Sequence, residues 1–583
     1  MALPDFTARG HAPAPMDLPL KLWLARMAHG ISPVSVALAY ADWFTHLMVS
    51  PSKQADMAAS AVRKTLLGLQ YAAPYAMQGE CAYCVEPRPQ DKRFSPHEWH
   101  SPPYSNMAQS FLLQDAWWTE AMTGVRGVSQ HHEDVVAFTM RQWVDMWSPS
   151  NFVLSNPQVI METLKTGGAN LANGFANWQR DAVTVLSDGK PRGVENFQPG
   201  RTVAVTPGKV VFCNRLIELM QYEPDTPMVH AEPVLIVPSW IMKYYILDLT
   251  PDDSLVRFLV EQGHTVYMVS WKNPGSEDRD LGLTDYVDLG VMAALKAVHI
   301  LQPDVGIHAM GYCLGGTLLA IAAAALGAKP GSPLKTVSLL AAQTDFHEPG
   351  ELGLFIDESQ ISFLEDLMSA RGYLDGRQMA GAFALINSKD LVWSKLVHEY
   401  LMGANTPMTA LRAWNADATR MPARMHSEYL RQLYMRNDLS EGRFRLGAHT
   451  VMLEDLTVPL FVVATERDHV SPWTSVYKVH RLAHAPVTFV LSSGGHNVGI
   501  VNPPSGPLAH PQANYRLASY PSSKAPADPL EWLEAAQTVQ GSWWPGWHEW
   551  LVVHSTVQAK AVPVLAPALG PPVNAPGSYV HEA

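Results

Sequence analysis

After Gly200 the chain alternates short apolar runs with longer amphipathic ones. Residues 234–237, 265–269, 307–310, 337–340, 460–464 and 487–491 are short, apolar and rich in β-branched side chains, the composition of strands buried on both faces. Between them, residues 254–262 and 291–301 carry helical periodicity. Strands alternating with helices predict a mainly parallel sheet covered on both faces. The first 195 residues read differently. Residues 18–48 predict two short amphipathic helices, interrupted by Gly30 and Pro33 and packed onto the rest of their domain. From Met107 to about Asp181 apolar residues recur three or four apart, and Val136, Met140, Trp143 and Trp147 would line one buried helix face. Pro149 and Pro157 end segments there, with Asn151 and Asn156 placed for turns and caps. The pattern therefore divides the chain into a helical N-terminal domain (1–195) and an α/β domain (196–583). The alternation breaks between about Phe346 and Arg443, a stretch too long for a loop, which predicts an inserted cap.

The chemistry gathers at one of the predicted strands. The run 307–310 meets Gly311-Tyr312-Cys313-Leu314-Gly315-Gly316, followed by a Leu/Ala-rich helical segment. A G-x-C-x-G pattern between strand and helix is a nucleophile elbow. The turn strains its central residue, so the positions two away must lack bulk; Gly311 and Gly315 meet that need. Cys313 is thus the candidate nucleophile, at a helix N-terminus that favours thiolate. This is the signature of the α/β-hydrolase fold, in which the acid and then the histidine follow the nucleophile in chain order. Asp468 lies just beyond the run 460–464, and His496 follows the run 487–491 in a Ser-Ser-Gly-Gly-His loop. Glu466 and Asp345 are rival acids, and His469 a rival base. His308, inside the nucleophile strand, reads as a core residue. One oxyanion donor would be the Leu314 N–H; the other would come from the loop after the run 234–237, with Ile241 the candidate.

Composition narrows the setting. A content of 47% hydrophobic and 16% charged residues suits a globular enzyme, and a net charge of −12 argues against a nucleic-acid partner. Four cysteines in 583 residues make no disulfide framework, which points to a reducing compartment. No secretory signal and no apolar run of transmembrane length is evident, so a cytoplasmic location is expected. Cys81-Ala82-Tyr83-Cys84 is a C-x-x-C, but no second ligand pair is spaced to complete a zinc site, and the βαβ context of a redox centre is missing. No metal or other cofactor is expected, and no Gly-rich phosphate loop implies a nucleoside triphosphate.

Several stretches resemble the polyhydroxyalkanoate synthases across nearly the whole chain: DKRFSPHEWHSPPY, SPSNFVLSNP, TPGKVVFCNRLIELMQYEP, VPSWIMKYYILDLTPDDSLVRFLVEQGHTVYMVSWKNP, GSWWPGWHEWL and the G-x-C-x-G elbow. By position the family's catalytic residues fall on Cys313, Asp468 and His496. The resemblance implies polymerisation of 3-hydroxyacyl-CoA thioesters through a thioester on Cys313, with coenzyme A as part of the substrate. It also implies a second part for Asp468 in activating the substrate hydroxyl. The long N-terminal domain resembles class I, which implies a homodimer, short acyl chains and a place at the polyester granule. Departures are Met242 where the family commonly has Asn, and Tyr312 and Leu314 where many members have Phe and Val. The alternatives are a cysteine-based polyester depolymerase or thioesterase of the same fold, and a non-catalytic granule protein.

Overall fold

The computed structural model describes residues 31–582, apart from 79–83, 89–90, 188, 328, 377, 380–391, 523, 562–563 and 565–572, together with 19–21 and 24. The chain forms two compact units. One holds residues 1–23, 192–380 and 408–583, the other residues 24–191 and 381–407.

The second unit is helical, with long helices Pro33–Met48, Pro51–Gln78, Tyr104–Met122, Gln130–Met146, Pro157–Thr166 and Ala169–Leu186. Side chains cap three of them where sequence places polar residues: Ser32, Ser129 and Asn156 each accept a first-turn N–H. Its core gathers Phe94, Trp99, Phe111, Leu112 and Val144. The expected apolar face of Gln130–Met146 is covered only in part. Val136 is fully buried, whereas Trp143 and Trp147 are 57% and 59% exposed. Periodicity correctly groups these residues on one face but cannot tell how far along it a neighbour reaches. The two indoles instead cover each other at 6.3 Å, and Trp147 stacks on Phe152 at 6.2 Å. Of the C-x-x-C, Cys81 lies outside the described residues. Cys84 donates its thiol to the Gln109 side-chain carbonyl at 2.9 Å, and burial pushes that thiol's pKa up.

The first unit is built on an eleven-stranded sheet. In chain order its strands are β1 (Gly208–Cys213), β2 (Ile217–Tyr222), β3 (Val234–Val237), β4 (Val266–Trp271), β5 (Ile307–Tyr312), β6 (Leu334–Leu340), β7 (Leu460–Thr465), β8 (Val487–Ser492), β9 (Asn514–Tyr520), β10 (Gln537–Gln540) and β11 (Val573–Asn574). They lie in the order β10-β9-β8-β7-β6-β5-β3-β4-β2-β1-β11. From β4 to β8 the neighbours are parallel, and each side is completed by antiparallel strands. The six parallel strands coincide with the six apolar runs, and their residues are buried apart from the half-buried Lys335. The helix Leu314–Gly327 is apolar all round and is accordingly buried from Leu314 to Ala324. The excursion between β6 and β7 does not stay together. Of its described residues, 392–407 cluster with the helical unit and the remainder with the sheet.

Four histidines of this unit are buried as neutral rings. Burial, with nearby imidazoles adding to it, pushes His264 down to about 2. Burial likewise lowers His308, His426 and His480 to about 4. His308 bonds Thr336 at 2.7 Å and Ser555 at 3.1 Å, the satisfied core residue expected of it. Unfolding returns each ring to its ordinary value of 6.5, so below that pH the unfolded chain binds more protons than the folded one. Their contribution is therefore complete above 6.5 and lost as pH falls towards 4. The melting temperature should drop steadily from about pH 7 to about pH 5, with proton uptake on unfolding measurable by potentiometry. A midpoint flat over that interval would contradict the buried neutral assignment.

Candidate active site

The end of β5 forces the chain into a corner. Cys313 sits between β5 and the helix Leu314–Gly327 with φ 53, a left-handed conformation rare for a residue with a Cβ. Its N–H is tied to the Leu340 carbonyl at 2.8 Å, and its own carbonyl accepts from Gly316 at 2.9 Å and Thr317 at 3.2 Å. The neighbouring glycines are required by contact rather than by dihedral. A Cβ on Gly311 would lie 2.4 Å from the Gly316 Cα, one on Gly315 2.3 Å from the Val237 carbonyl oxygen, and one on Gly316 2.5 Å from the Ala342 Cβ. The elbow is thereby wedged between the ends of β3 and β6, with Cys313 8% exposed.

Asp468 follows β7 and His496 follows β8, two parallel neighbours, so their loops emerge side by side. His496 Nδ1 and Asp468 Oδ2 are 2.7 Å apart. The carboxylate is fully satisfied: Oδ1 accepts from Val470 N–H at 2.9 Å and Ser471 N–H at 2.7 Å, and Oδ2 also accepts from the Thr465 hydroxyl at 3.1 Å. Burial raises its pKa, but His496 and the two backbone donors outweigh that and leave it below the ordinary carboxylate value. For His496, burial disfavours the imidazolium, while the Asp468 carboxylate and the Cys313 sulfur together hold it well above its ordinary value. Cys313 and His496 are therefore electrostatic neighbours, and with Nδ1 committed to Asp468 the imidazole offers Nε2 to the sulfur.

The rivals stand elsewhere. Asp345 accepts from His347 N–H at 2.8 Å and Asn437 Nδ2 at 3.0 Å, inside the excursion after β6. Glu466 and His469 are exposed. Ile241 belongs to the loop after β3, whose carbonyls are held from several sides. Trp271 Nε1 donates to Pro238 at 2.9 Å, the Thr419 hydroxyl to Trp240 at 2.9 Å, and Trp414 Nε1 to Lys243 at 2.7 Å. Because a trans peptide points its C=O and N–H in opposite directions, the Ile241 N–H faces away from Thr419.

Three supports escaped sequence reasoning. The Tyr312 hydroxyl donates to Asn497 Oδ1 at 2.7 Å, steadying the histidine loop from the elbow itself. Trp543 Nε1 takes the Gly499 carbonyl at 3.1 Å and Trp544 Nε1 the Ile500 carbonyl at 2.9 Å, so the Trp-Trp-Pro motif pins the same loop. Trp240, Tyr429, the half-buried Tyr434 and Phe346 form an aromatic row with centroids 6.0, 5.2 and 4.9 Å apart.

Comparison with known proteins gives a consistent picture. Residues 90–259 match the family described as poly-beta-hydroxybutyrate polymerase (PhaC) N-terminus, residues 11–53 that described as poly-beta-hydroxybutyrate polymerase N terminal, and residues 232–503 the alpha/beta hydrolase fold. The sheet unit thus has the α/β-hydrolase fold. A poly(3-hydroxyalkanoate) polymerase of Methylorubrum extorquens is 39% identical, over 89% of this chain and 86% of its own. The poly(3-hydroxyalkanoate) polymerase subunit PhaC of Rhizobium etli is 33% identical over 96% and 89%, and that of Cupriavidus necator 36% over 79% and 78%.

Proposed function

The chain belongs to the poly(3-hydroxyalkanoate) polymerase family, and from that membership we propose that it polymerises 3-hydroxyacyl-CoA thioesters on Cys313, with His496 as the proton carrier and Asp468 as its orienting partner. In the first half-reaction the thiol proton passes to His496 Nε2 as sulfur attacks the thioester carbonyl. The C–S bond to coenzyme A breaks, and the leaving thiolate takes the proton back from the imidazole. In the second, His496 receives the proton of an incoming hydroxyl while its oxygen attacks the Cys313 thioester. The C–S bond to Cys313 breaks, the sulfur recovers a proton, and the polyester is longer by one unit. The N–H groups of Leu314 and Ile241 are the proposed donors to the oxyanion formed in each half. Exchange between two thioesters is nearly isoenergetic, so nucleophile and proton carrier suffice and no metal, redox or nucleotide cofactor is invoked.

The observation that carries this reading is one corner of the sheet: Cys313 at φ 53, beside an imidazole bonded to a buried carboxylate at 2.7 Å. A hydrolase reading uses the same three residues with water as acceptor, and family membership favours the hydroxyl. Purified protein given 3-hydroxybutyryl-CoA should release coenzyme A and form high-mass polyester, with little free 3-hydroxybutyrate. Monomeric acid as the main product would replace the polymerase reading with the hydrolase one.

We further propose a homodimer working in the cytoplasm at the surface of its own polymer granule. No helix among the described residues is long and apolar enough to cross a membrane. Exposed Trp143, Trp147, Phe152, Phe175 and Trp178 give the helical unit an apolar exterior suited to a polyester surface.

A further inference from the structure

The aromatic row beside the site holds one polar group that the acyl-transfer steps leave unused. The helix Ala423–Tyr429 passes directly into a π-helical turn, Leu430–Met435. In an α-helix, side chains five residues apart point about 140° away from each other. The wider π-turn brings such a pair closer to one face, and turns of this kind recur at functional sites. Here it joins Tyr429 and Tyr434, the Tyr429 hydroxyl donating to Tyr434 Oη at 3.0 Å. Asn437 closes the turn at φ 50, accepting from the Phe346 N–H at 2.9 Å and donating to Asp345 at 3.0 Å. Tyr434 is thus held from two sides, by the Tyr429 hydroxyl and by the Phe346 ring at 4.9 Å.

The row crosses the nucleophile. Strands β3 and β6 flank β5, all three parallel, and Cys313 follows β5 immediately. Trp240 lies in the loop leaving β3 and Phe346 in the loop leaving β6. Rings running from Trp240 through Tyr429 and Tyr434 to Phe346 therefore span the end of β5. The electrostatics agree. Burial raises the pKa of both phenols, and the Cys313 sulfur adds to the rise in each, as the Asp468 carboxylate does in Tyr434. Both hydroxyls therefore stay protonated. Tyr434 Oη accepts from Tyr429, and among the described residues nothing accepts the Tyr434 proton in turn. A half-buried O–H of fixed orientation is left as a donor beside the nucleophile.

The acyl part of a 3-hydroxyacyl thioester is hydrocarbon apart from its carbonyl oxygen and the oxygen at C3. Backbone N–H groups answer the carbonyl in the proposed mechanism, which leaves the oxygen at C3. We propose that Tyr434 donates its hydrogen bond to that oxygen, with Tyr429 as its positioning residue, and so selects 3-hydroxyacyl over unsubstituted acyl thioesters. The surrounding rings supply an apolar wall for the rest of the chain. The inference rests on the acyl-transfer reading of the site and adds to it the group that recognises the acyl chain.

The test uses the full chain, its variants Tyr434→Phe and Tyr429→Phe, and the thioesters 3-hydroxybutyryl-CoA and butyryl-CoA, which differ only in the oxygen at C3. Single-turnover release of coenzyme A reports acylation of Cys313, and melting temperature reports the fold. The unaltered chain should be acylated about tenfold or more faster by the hydroxy compound. Tyr434→Phe should slow acylation by 3-hydroxybutyryl-CoA about tenfold and by butyryl-CoA less than about twofold, so that the preference disappears. Tyr429→Phe keeps the donor but not its orientation, and should lose about threefold with the hydroxy compound alone. A purely structural part for either ring would slow both thioesters alike, so equal losses, or an unchanged ratio in Tyr434→Phe, would overturn the proposal. Should Tyr434→Phe fail to fold, an unchanged ratio in Tyr429→Phe overturns it instead. If the unaltered chain releases no coenzyme A from either thioester, the acyl-transfer reading itself fails, and this inference with it.

Discussion

Cys313→Ala is expected to abolish release of coenzyme A from 3-hydroxybutyryl-CoA, by at least about 10⁴-fold, while leaving the fold intact. The size follows from what is lost: every acyl bond formed or broken on the enzyme is to this sulfur, so no partial route survives its removal. The fold should persist because alanine keeps the Cβ already accommodated at φ 53 and the backbone bonds to Leu340, Gly316 and Thr317. The other described thiols offer no substitute. Cys84 is engaged with Gln109 in the helical unit, and Cys213 sits exposed at the end of the antiparallel strand β1. Circular dichroism and melting temperature check the fold, and a thiol-release assay checks turnover. Substantial residual release with Cys81, Cys84 and Cys213 in place would remove Cys313 from the nucleophile's role.

The elements that could be read from sequence share one physical property: they are constrained on both faces at once. A central parallel strand is buried above and below, so β3 to β8 appear as mainly apolar runs with few polar interruptions, such as His308 and Ser338. The outer strands are half-covered or answer to partners far away. In β2, Glu218 and Gln221 interrupt the apolar signal, yet Glu218 is buried because the N–H groups of Ser578 and Tyr579 reach it at 2.9 and 3.0 Å. That contact spans 360 residues, and no local pattern announces it. Strand β9, with Arg516 and Ser519 inside a Pro-rich stretch, lacks both a run and a clean alternation. The same distinction holds at the site. The elbow glycines and the order of Cys313, Asp468 and His496 are local in sequence or fixed by strand order. The grip of Trp543 and Trp544 on the histidine loop joins side chain to distant backbone carbonyl. A carbonyl carries no residue identity, so half of each such contact is invisible in the sequence.

Asp468→Asn and His496→Gln are expected to separate the two half-reactions. Both begin with removal of a proton from the attacking group, but the groups differ greatly in acidity. A thiol ionises near about 8.5 and is a competent nucleophile with little help, whereas a substrate alcohol needs a base throughout its attack. A weakened base should therefore cost elongation much more than acylation. Every acceptor position of Asp468 is taken by Val470, Ser471, Thr465 and His496, and its side chain is fully buried. Direct contact with a substrate hydroxyl would require breaking one of these bonds, so in the proposed mechanism the aspartate acts through the imidazole. The asparagine variant loses the charge that holds His496 high and disturbs its tautomer. Acylation should then fall about tenfold and elongation by about 10³ to 10⁴, so that acyl-enzyme accumulates on Cys313. His496→Gln should show the same asymmetry with deeper losses in both steps, because no base remains. Intact-protein mass spectrometry after mixing with 3-hydroxybutyryl-CoA measures the trapped acyl group, and polymer yield measures elongation. Equal losses in both steps for Asp468→Asn, with no trapped acyl-enzyme, would show that proton removal from the alcohol is not where the Asp468–His496 pair does most of its work.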